Sequence, residues 1–197
     1  MAPRRRELLL LRHGIAEERD PVPGDQADQA DRRRSLTPEG AQRTAQLIRR
    51  LGELDLGCDV VLSSPLRRAR QTAELAVAGG LAPDLELAAA LAPLADPLPL
   101  LERWLGPLSP RPGWRRLALV GHEPDLSTLV ALLIGVPMGQ APRALQLKKA
   151  GVALLQCAPP PAPGGPAAGL AGTARLTLLL PPRVLLGPRA GKTSSGH

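Results

Sequence analysis

Aromatic residues are almost absent from this chain of 197 residues. It contains no Phe and no Tyr, and Trp104 and Trp114 are its only aromatic residues of that class. The core must therefore be built from Leu, Val and Ala. Proteins that hold nucleic acid by stacking its bases need exposed aromatic side chains. We therefore expect no nucleic-acid partner, although 25 Lys and Arg against 18 Asp and Glu give a net charge of +7.

Long apolar runs are also missing. No run approaches the roughly 18–20 residues of a membrane helix. The run at 8–11 ends at Arg12, short of the about 7–15 apolar residues of a signal peptide. The two cysteines, Cys58 and Cys157, each lie in an apolar stretch, which is typical of buried, reduced thiols. These features predict a cytoplasmic protein with no membrane association, and we expect a monomer.

Metal-binding and nucleotide-binding motifs are absent as well. The three histidines, His13, His122 and His197, have no His or Cys neighbour at ligand spacing. The segment 187–193 resembles a phosphate-binding P-loop, but three residues separate its glycines where the motif needs four, and no helix can follow it. We predict that 187–197 is a disordered tail and that the chain holds no metal or organic cofactor.

Short apolar runs alternate with segments of helical periodicity, which predicts one α/β domain over 1–186. Buried strands are predicted at 7–11, 58–62 and 116–120, an edge strand at 85–87, and paired strands at 151–156 and 175–180. One helix is predicted from Pro38 to just before Gly52. A second follows 63–65 and continues to about 78, a third contains Trp104, and a fourth contains Leu126 and ends at Gly135. We expect 15–35 to be a long surface loop and 158–172 a flexible one.

Three of the predicted strands end in residues that can do chemistry. Arg12 and His13 follow the first, Ser64, Arg67 and Arg68 follow the second, and His122 follows the third. Ligands of α/β sheets bind at the carboxyl ends of parallel strands, so these side chains would meet at one edge. Arginines match phosphate oxygens, and a neutral imidazole is a competent nucleophile toward phosphorus. The arrangement predicts a pocket for a phosphoryl group.

Four motifs in a fixed order resemble the histidine phosphatase superfamily. They are RHG at 12–14, LTPEG at 36–40, SSPLRRARQTAE at 63–74 and VGHEPDLS at 120–127. The small size, the compact middle region and the segment KKAGV at 148–152 are similar to its SixA-type phosphohistidine phosphatases. The resemblance spans about 8–186. It implies a phosphoglycerate-mutase-like fold, a three-layer α/β/α sandwich with a mostly parallel central sheet.

The resemblance also implies roles for individual residues. His13 would be the nucleophile that is transiently phosphorylated. Arg12, His122 and Arg68 would bind the phosphoryl group; Arg68 is preferred over Arg67 because it immediately precedes Ala69. The superfamily uses no metal and no organic cofactor.

The sequence departs from the family where many members carry a general acid. The corresponding stretch, 88–93, reads AAALAP and has no carboxylate. Glu123 is a candidate acid and Asp96 a looser one. Glu123 followed by Pro124 equally suits a plain helix start, with an acidic residue near the helix dipole.

These features predict a phosphohistidine phosphatase that acts on phosphorylated proteins. Phosphohistidine has a reactive P–N bond and an imidazole leaving group, so it depends less on a dedicated acid. Two alternatives stay open: a phosphomonoesterase for a small metabolite or nucleotide, and a non-catalytic module that binds a phosphorylated ligand or RNA on the same fold.

Overall fold

A six-stranded sheet forms the centre of the molecule. The structure is a computed structural model that describes residues 6–19, 25–137, 140, 145–158 and 169–187. Its strands are β1 Arg6–Arg12, β2 Val60–Ser63, β3 Leu85–Leu87, β4 Arg116–Gly121, β5 Val152–Cys157 and β6 Ala174–Leu180. Their order across the sheet is β3-β2-β4-β1-β5-β6.

The strands β3, β2, β4 and β1 pair with one another in parallel. β5 pairs antiparallel with β1, and β6 pairs antiparallel with β5. At one edge, the end of β1 lies against the end of β4, with Leu11 opposite Val120. The start of β5 meets the same edge, since Val152 pairs with Leu11. The sheet therefore brings the carboxyl ends of β1, β2 and β4 together, as the sequence predicted.

Helices cover both faces of this sheet. They are α1 Asp25–Arg33, α2 Pro38–Glu53, α3 Arg67–Ala78, α4 Leu98–Leu105, α5 Asp125–Leu133 and the short α6 Pro182–Leu186, with a 3-10 turn at Ala89–Leu91. Successive strand residues face opposite sides. In β1, Leu8 and Leu10 join the core cluster that contains Trp104, whereas Leu9 and Leu11 join a second cluster against α2 and α3. The predicted three-layer α/β/α sandwich is confirmed.

The start of α2 follows its sequence signal. Thr37 Oγ1 accepts a hydrogen bond from the Gly40 amide at 3.0 Å, and Pro38 is the first helical residue. The predicted end before Gly52 is wrong, because α2 continues to Glu53. A single glycine inside a helix costs only about 1 kcal/mol, which the buried face of α2 offsets.

The long surface loop predicted at 15–35 is also wrong, since it contains α1. Its polar composition indicated a loop, but Ala27, Ala30, Asp31 and Arg34 are all half-buried while the helix residues between them are exposed. That spacing of i, i+3, i+4 and i+7 is one face of a helix. The face combines two alanines with the charged Asp31 and, just after the helix ends, Arg34, so its hydrophobic periodicity is too weak to predict a helix.

Both cysteines lie in the described part of the chain, whereas most of the predicted loop and tail does not. Cys58 and Cys157 are buried free thiols, as expected. Most of the predicted flexible loop, 159–168, and the predicted tail from 188 onward lie outside the described residues. In the described part of the chain, no helix has the length and apolar character needed to cross a membrane.

Candidate active site

The predicted catalytic side chains meet at the carboxyl edge of the sheet. His13 follows β1, Ser64 follows β2, and His122 follows β4. The two imidazole rings lie with their centroids 5.2 Å apart. Nε2 of His122 lies 2.8 Å from Oγ of Ser64, and Nε of Arg68 lies 3.3 Å from Nε2 of His13. Residues from three separate strands and one helix thus form a single buried cluster.

The hydrogen bonds of His13 define its tautomer. Nδ1 lies 2.7 Å from the carbonyl oxygen of Gly14, which can only accept, so Nδ1 carries the proton. Nε2 then has a lone pair, which accepts from the Arg68 guanidinium. Burial, followed by the neighbouring His122, lowers the pKa of His13 to about 3. His13 is therefore a neutral imidazole whose unprotonated nitrogen, Nε2, faces the arginine.

His122 is also held in its neutral form. Burial, followed by the charge of Arg68, lowers its pKa to about 3. Its Nε2 contacts Ser64, while Nδ1 is buried with no hydrogen-bond partner among the described residues. Ser64 thus fixes the orientation of this ring, a role that the sequence left uncertain. When a phosphoryl group approaches, its negative oxygens favour the charged imidazolium, which can donate to them.

Arg68, rather than Arg67, reaches the pocket. Both open α3, but the side chain of Arg68 is buried and that of Arg67 is exposed. Arg68 shares its helix face with Thr72, one turn later, whose hydroxyl accepts from the Gly14 amide at 3.1 Å. The structure thus places Arg68 beside His13 and leaves Arg67 exposed, and binding of a phosphoryl group by Arg68 stays a prediction.

Asp31 is a site residue that the sequence did not predict. Its carboxylate accepts from Nη2 of Arg68 at 2.9 Å, and its backbone carbonyl accepts from Nη1 at 2.7 Å. Arg34 and Arg19 also contact this carboxylate. The net effect of these arginines lowers the pKa of Asp31 to about 2, against the opposing effect of burial, the largest single contribution. Asp31 therefore remains ionised and orients Arg68.

Arg12 forms the other side of the pocket. Its Nη1 donates to the carbonyl of Leu147 at 2.7 Å, and its Nε is buried with no hydrogen-bond partner among the described residues. Two buried polar nitrogens of the predicted site, Nε of Arg12 and Nδ1 of His122, thus lack a hydrogen-bond partner among the described residues. Because buried polar groups are nearly always satisfied, this pair indicates that the site takes a polar ligand.

The candidate acid Glu123 is held by local contacts. Its Oε1 accepts from Oγ of Ser127 at 2.5 Å and from the Leu147 amide at 2.8 Å. The Glu123 carboxylate therefore holds Leu147 in place, and the carbonyl of Leu147 in turn accepts from Arg12. The looser candidate, Asp96, is exposed and accepts from the Leu98 amide at 2.9 Å, at the start of α4.

A third carboxylate, Asp125, was not identified from the sequence. It lines a narrow cavity with His122. Burial raises its pKa, and its Oδ2 is buried without a hydrogen-bond partner in the described part of the chain. The sequence signal that could have identified Asp125 is its position three residues after His122, in the first turn of α5.

Gly14, beside His13, packs closely against α2. A Cβ at Gly14 would lie 2.3 Å from Oγ1 of Thr44 and 3.2 Å from Leu36. The absence of a side chain is therefore required for this close approach to α2. Packing α2 this tightly against the end of β1 helps to hold the backbone of His13 in place.

Comparisons with known proteins agree with this geometry. The family model described as "Histidine phosphatase superfamily (branch 1)" matches residues 8–92, which include His13 and Arg68. An uncharacterised protein from Picosynechococcus is 40% identical over 149 residues, covering 74% of this chain and 82% of that relative. The chain belongs to the histidine phosphatase superfamily.

Solved structures of several phosphatases share this fold. The protein histidine phosphatase SixA, complexed with tungstate, superposes with a TM-score of 0.67 at 21% identity, covering 91% of this chain and 99% of SixA. A mycobacterial glucosyl-3-phosphoglycerate phosphatase gives a TM-score of 0.64 at 18% identity, covering 89% and 98%. A phosphoserine phosphatase from Entamoeba histolytica gives 0.58 at 15%, covering 91% and 99%. Related folds therefore serve substrates of different chemistry.

Proposed function

We propose that this histidine phosphatase hydrolyses phosphohistidine on proteins, with His13 as the nucleophile. The observation that carries the proposal is the state of His13. It is buried and neutral. Its Nδ1–H donates to the Gly14 carbonyl, its Nε2 lone pair accepts from Arg68, and its ring lies beside that of His122. Such an imidazole can attack phosphorus without first losing a proton.

In the first step, Nε2 of His13 attacks the phosphorus and forms a new P–N bond while the P–N bond of the substrate breaks. A substrate imidazole that is protonated on its other nitrogen leaves as a neutral ring. Arg12, Arg68 and His122 stabilise the charge on the transferring oxygens. Throughout, the Gly14 carbonyl accepts from Nδ1 of the phosphorylated His13, which carries a positive ring.

In the second step, water attacks the phosphorus of phospho-His13. The P–Nε2 bond breaks, its electron pair returns to Nε2, and inorganic phosphate leaves with the protons of the water. His13 is restored as the neutral tautomer that the cycle started with. We propose that neither step needs a metal.

Most carboxylate positions around the site support phosphohistidine as the substrate; the exception is Asp125, which lines a cavity with His122 and whose pKa is raised by burial. The stretch 88–93 has no acidic side chain, Asp31 is ion-paired with Arg68, and Glu123 accepts from Ser127 and Leu147. An alkoxide leaving group would require a proton donor, whereas a neutral imidazole would not.

The test measures phosphate release from a histidine-phosphorylated protein and from an aryl phosphate, both in EDTA. We expect release from the phosphohistidine protein, loss of it in His13→Ala, and an acid-labile phosphoenzyme in the wild type only. Arg68→Ala should lower kcat/KM by about 100-fold or more, and its neighbour Arg67→Ala, on the exposed face of α3, serves as the matched control.

Other outcomes would overturn the proposal in distinct ways. Release from the aryl phosphate alone would make the protein a phosphomonoesterase for small molecules. Release that requires an added metal would refute the metal-independent cycle. No release from either substrate by folded protein, together with salt-sensitive binding of RNA or a phosphorylated ligand, would indicate a non-catalytic module.

A further inference from the structure

A groove with basic residues along its rim lies at the same edge of the sheet as the catalytic pocket. It has a volume of about 550 Å³, within the range of about 300–1,000 Å³ that is usual for ligand sites. Its apolar walls are formed by Ile15, Leu147, Leu179, Leu180, Pro181 and Pro182. We call this feature the β6 groove, because β6 ends in it.

The charge around the β6 groove has one sign. Its lining includes Arg43, Lys148, Lys149 and Arg183, and none of its described lining residues is acidic. Nζ of Lys148 donates to the neutral amide of Gln146 at 3.2 Å. Within the described part of the chain, neither Arg43 nor Arg183 forms a salt bridge with a carboxylate. The positive charges of Arg43, Lys148 and Arg183 are therefore available to an anionic partner.

The β6 groove shares its wall with the catalytic pocket. Leu147, which lines the groove, accepts from Nη1 of Arg12 through its carbonyl. The carbonyl of Gly151, another lining residue, accepts from the Arg12 amide at 3.1 Å, and Ile15 lies two residues after His13. A ligand in the groove thus lies beside the phosphoryl site without occupying it.

We infer that the β6 groove binds an extended acidic segment of the protein substrate, next to the phosphorylated histidine. The inference rests on the proposed phosphohistidine phosphatase function. The apolar walls suit aliphatic side chains. The charges of the rim come from three places, α2, the segment before β5 and α6, and this spacing suits carboxylates spread along an extended chain. A single compact phosphate would instead need cations that converge on one point.

The first experiment compares two phosphohistidine peptides that differ only in the residues flanking the histidine, Glu and Leu in one and Gln and Leu in the other. We expect the wild type to prefer the acidic peptide through KM. The double variant Lys148→Glu with Arg183→Glu should lower the ratio of the two kcat/KM values by about tenfold. Arg175→Glu, at the opposite end of β6, is the matched control and should keep the ratio of the wild type.

The second experiment separates failure of the groove from failure of the proposed function. Binding of the same acidic peptide without its phosphoryl group is measured by fluorescence polarisation, in wild type and double variant. Weaker binding by the double variant supports the groove even if no phosphohistidine peptide is hydrolysed. An unchanged kcat/KM ratio together with unchanged binding overturns the inference. Tighter binding of an RNA oligomer of equal charge than of the peptide would also overturn it.

Discussion

Asp31 holds Arg68 through two different groups of one residue. The carboxylate accepts from Nη2 at 2.9 Å and the backbone carbonyl from Nη1 at 2.7 Å. The third donor, Nε, faces His13. Two bonds from α1 therefore determine the plane of the guanidinium that meets the phosphoryl group. Because the side chains of Arg68 and Asp31 are only 5% and 13% exposed, water can replace little of this interaction.

Asp31→Asn should weaken both stability and phosphate binding. Loss of the carboxylate leaves the buried Arg68 charge without its anionic partner, at a cost of about 1–3 kcal/mol in the free energy of unfolding. A less well oriented Arg68 should also raise the inhibition constant of vanadate by about tenfold. Urea denaturation and vanadate inhibition measure the two effects.

Asp28→Asn is the matched control, since Asp28 is exposed on the same helix. It should change neither quantity. Equal effects of the two substitutions would mean that Asp31 acts through helix stability alone and does not orient Arg68.

The folded protein should lose stability as the pH falls below about 6.5. The pKa values of His13 and His122 are about 3 in the folded chain, against 6.5 in an exposed histidine. Between these values the unfolded chain binds protons that the folded chain does not, so acid favours unfolding. Each histidine contributes up to about 1.4 kcal/mol per pH unit.

His13→Gln should therefore reduce the pH dependence of the free energy of unfolding between pH 6.5 and 4.5. Denaturant titrations at several pH values measure the slope for wild type and variant. Above pH 7.5 this linkage vanishes for both chains, which provides the internal reference. Identical slopes for the two proteins would show that His13 titrates normally in the folded state.

Gly14→Ala should destabilise the protein by about 1–3 kcal/mol, because the added Cβ would overlap Oγ1 of Thr44. The double variant with Thr44→Ala should recover part of this loss, since it removes the atom that clashes. Gly52→Ala is the contrasting case: nothing lies within 4 Å of a Cβ there, and the helix should gain about 0.5–1 kcal/mol. Thermal or urea unfolding of the wild type and the three variants distinguishes a local overlap from a general effect of Gly→Ala.

Glu123→Gln tests whether Glu123 acts as an acid or as a structural anchor. A glutamine oxygen can still accept from Ser127 and Leu147, so an anchor should retain kcat/KM within about threefold. A proton donor would instead lose about 100-fold or more and would change the pH profile. We expect the first result, measured as kcat/KM between pH 5 and 9, with the same series on Asp125→Asn as a comparison.

Local signals accounted for much of the fold. The apolar runs, the Thr37–Pro38 start of α2 and the glycine after α5 all correspond to structure at nearly the predicted positions. These features depend on interactions between residues close in sequence, or on burial of a whole strand. The α1 helix was not predicted because its inward face carries only Ala27, Ala30 and the charged Asp31, whose partners are arginines rather than an apolar core.

By itself the sequence determined which residues were candidates and after which strand each one lies. A parallel sheet brings the carboxyl ends of its strands to one edge whatever the side-chain packing. It singled out His13, Arg12 and His122, and the family resemblance added Arg68. Only the tertiary structure decided the tautomer of His13, the pairing of Asp31 with Arg68 and the β6 groove. The ion pair and the groove depend on contacts between residues far apart in the chain, such as Asp31 and Arg68, which are 37 positions apart, and no local pattern encodes such contacts. The tautomer depends on how the folded chain orients the His13 ring between the Gly14 carbonyl and Arg68.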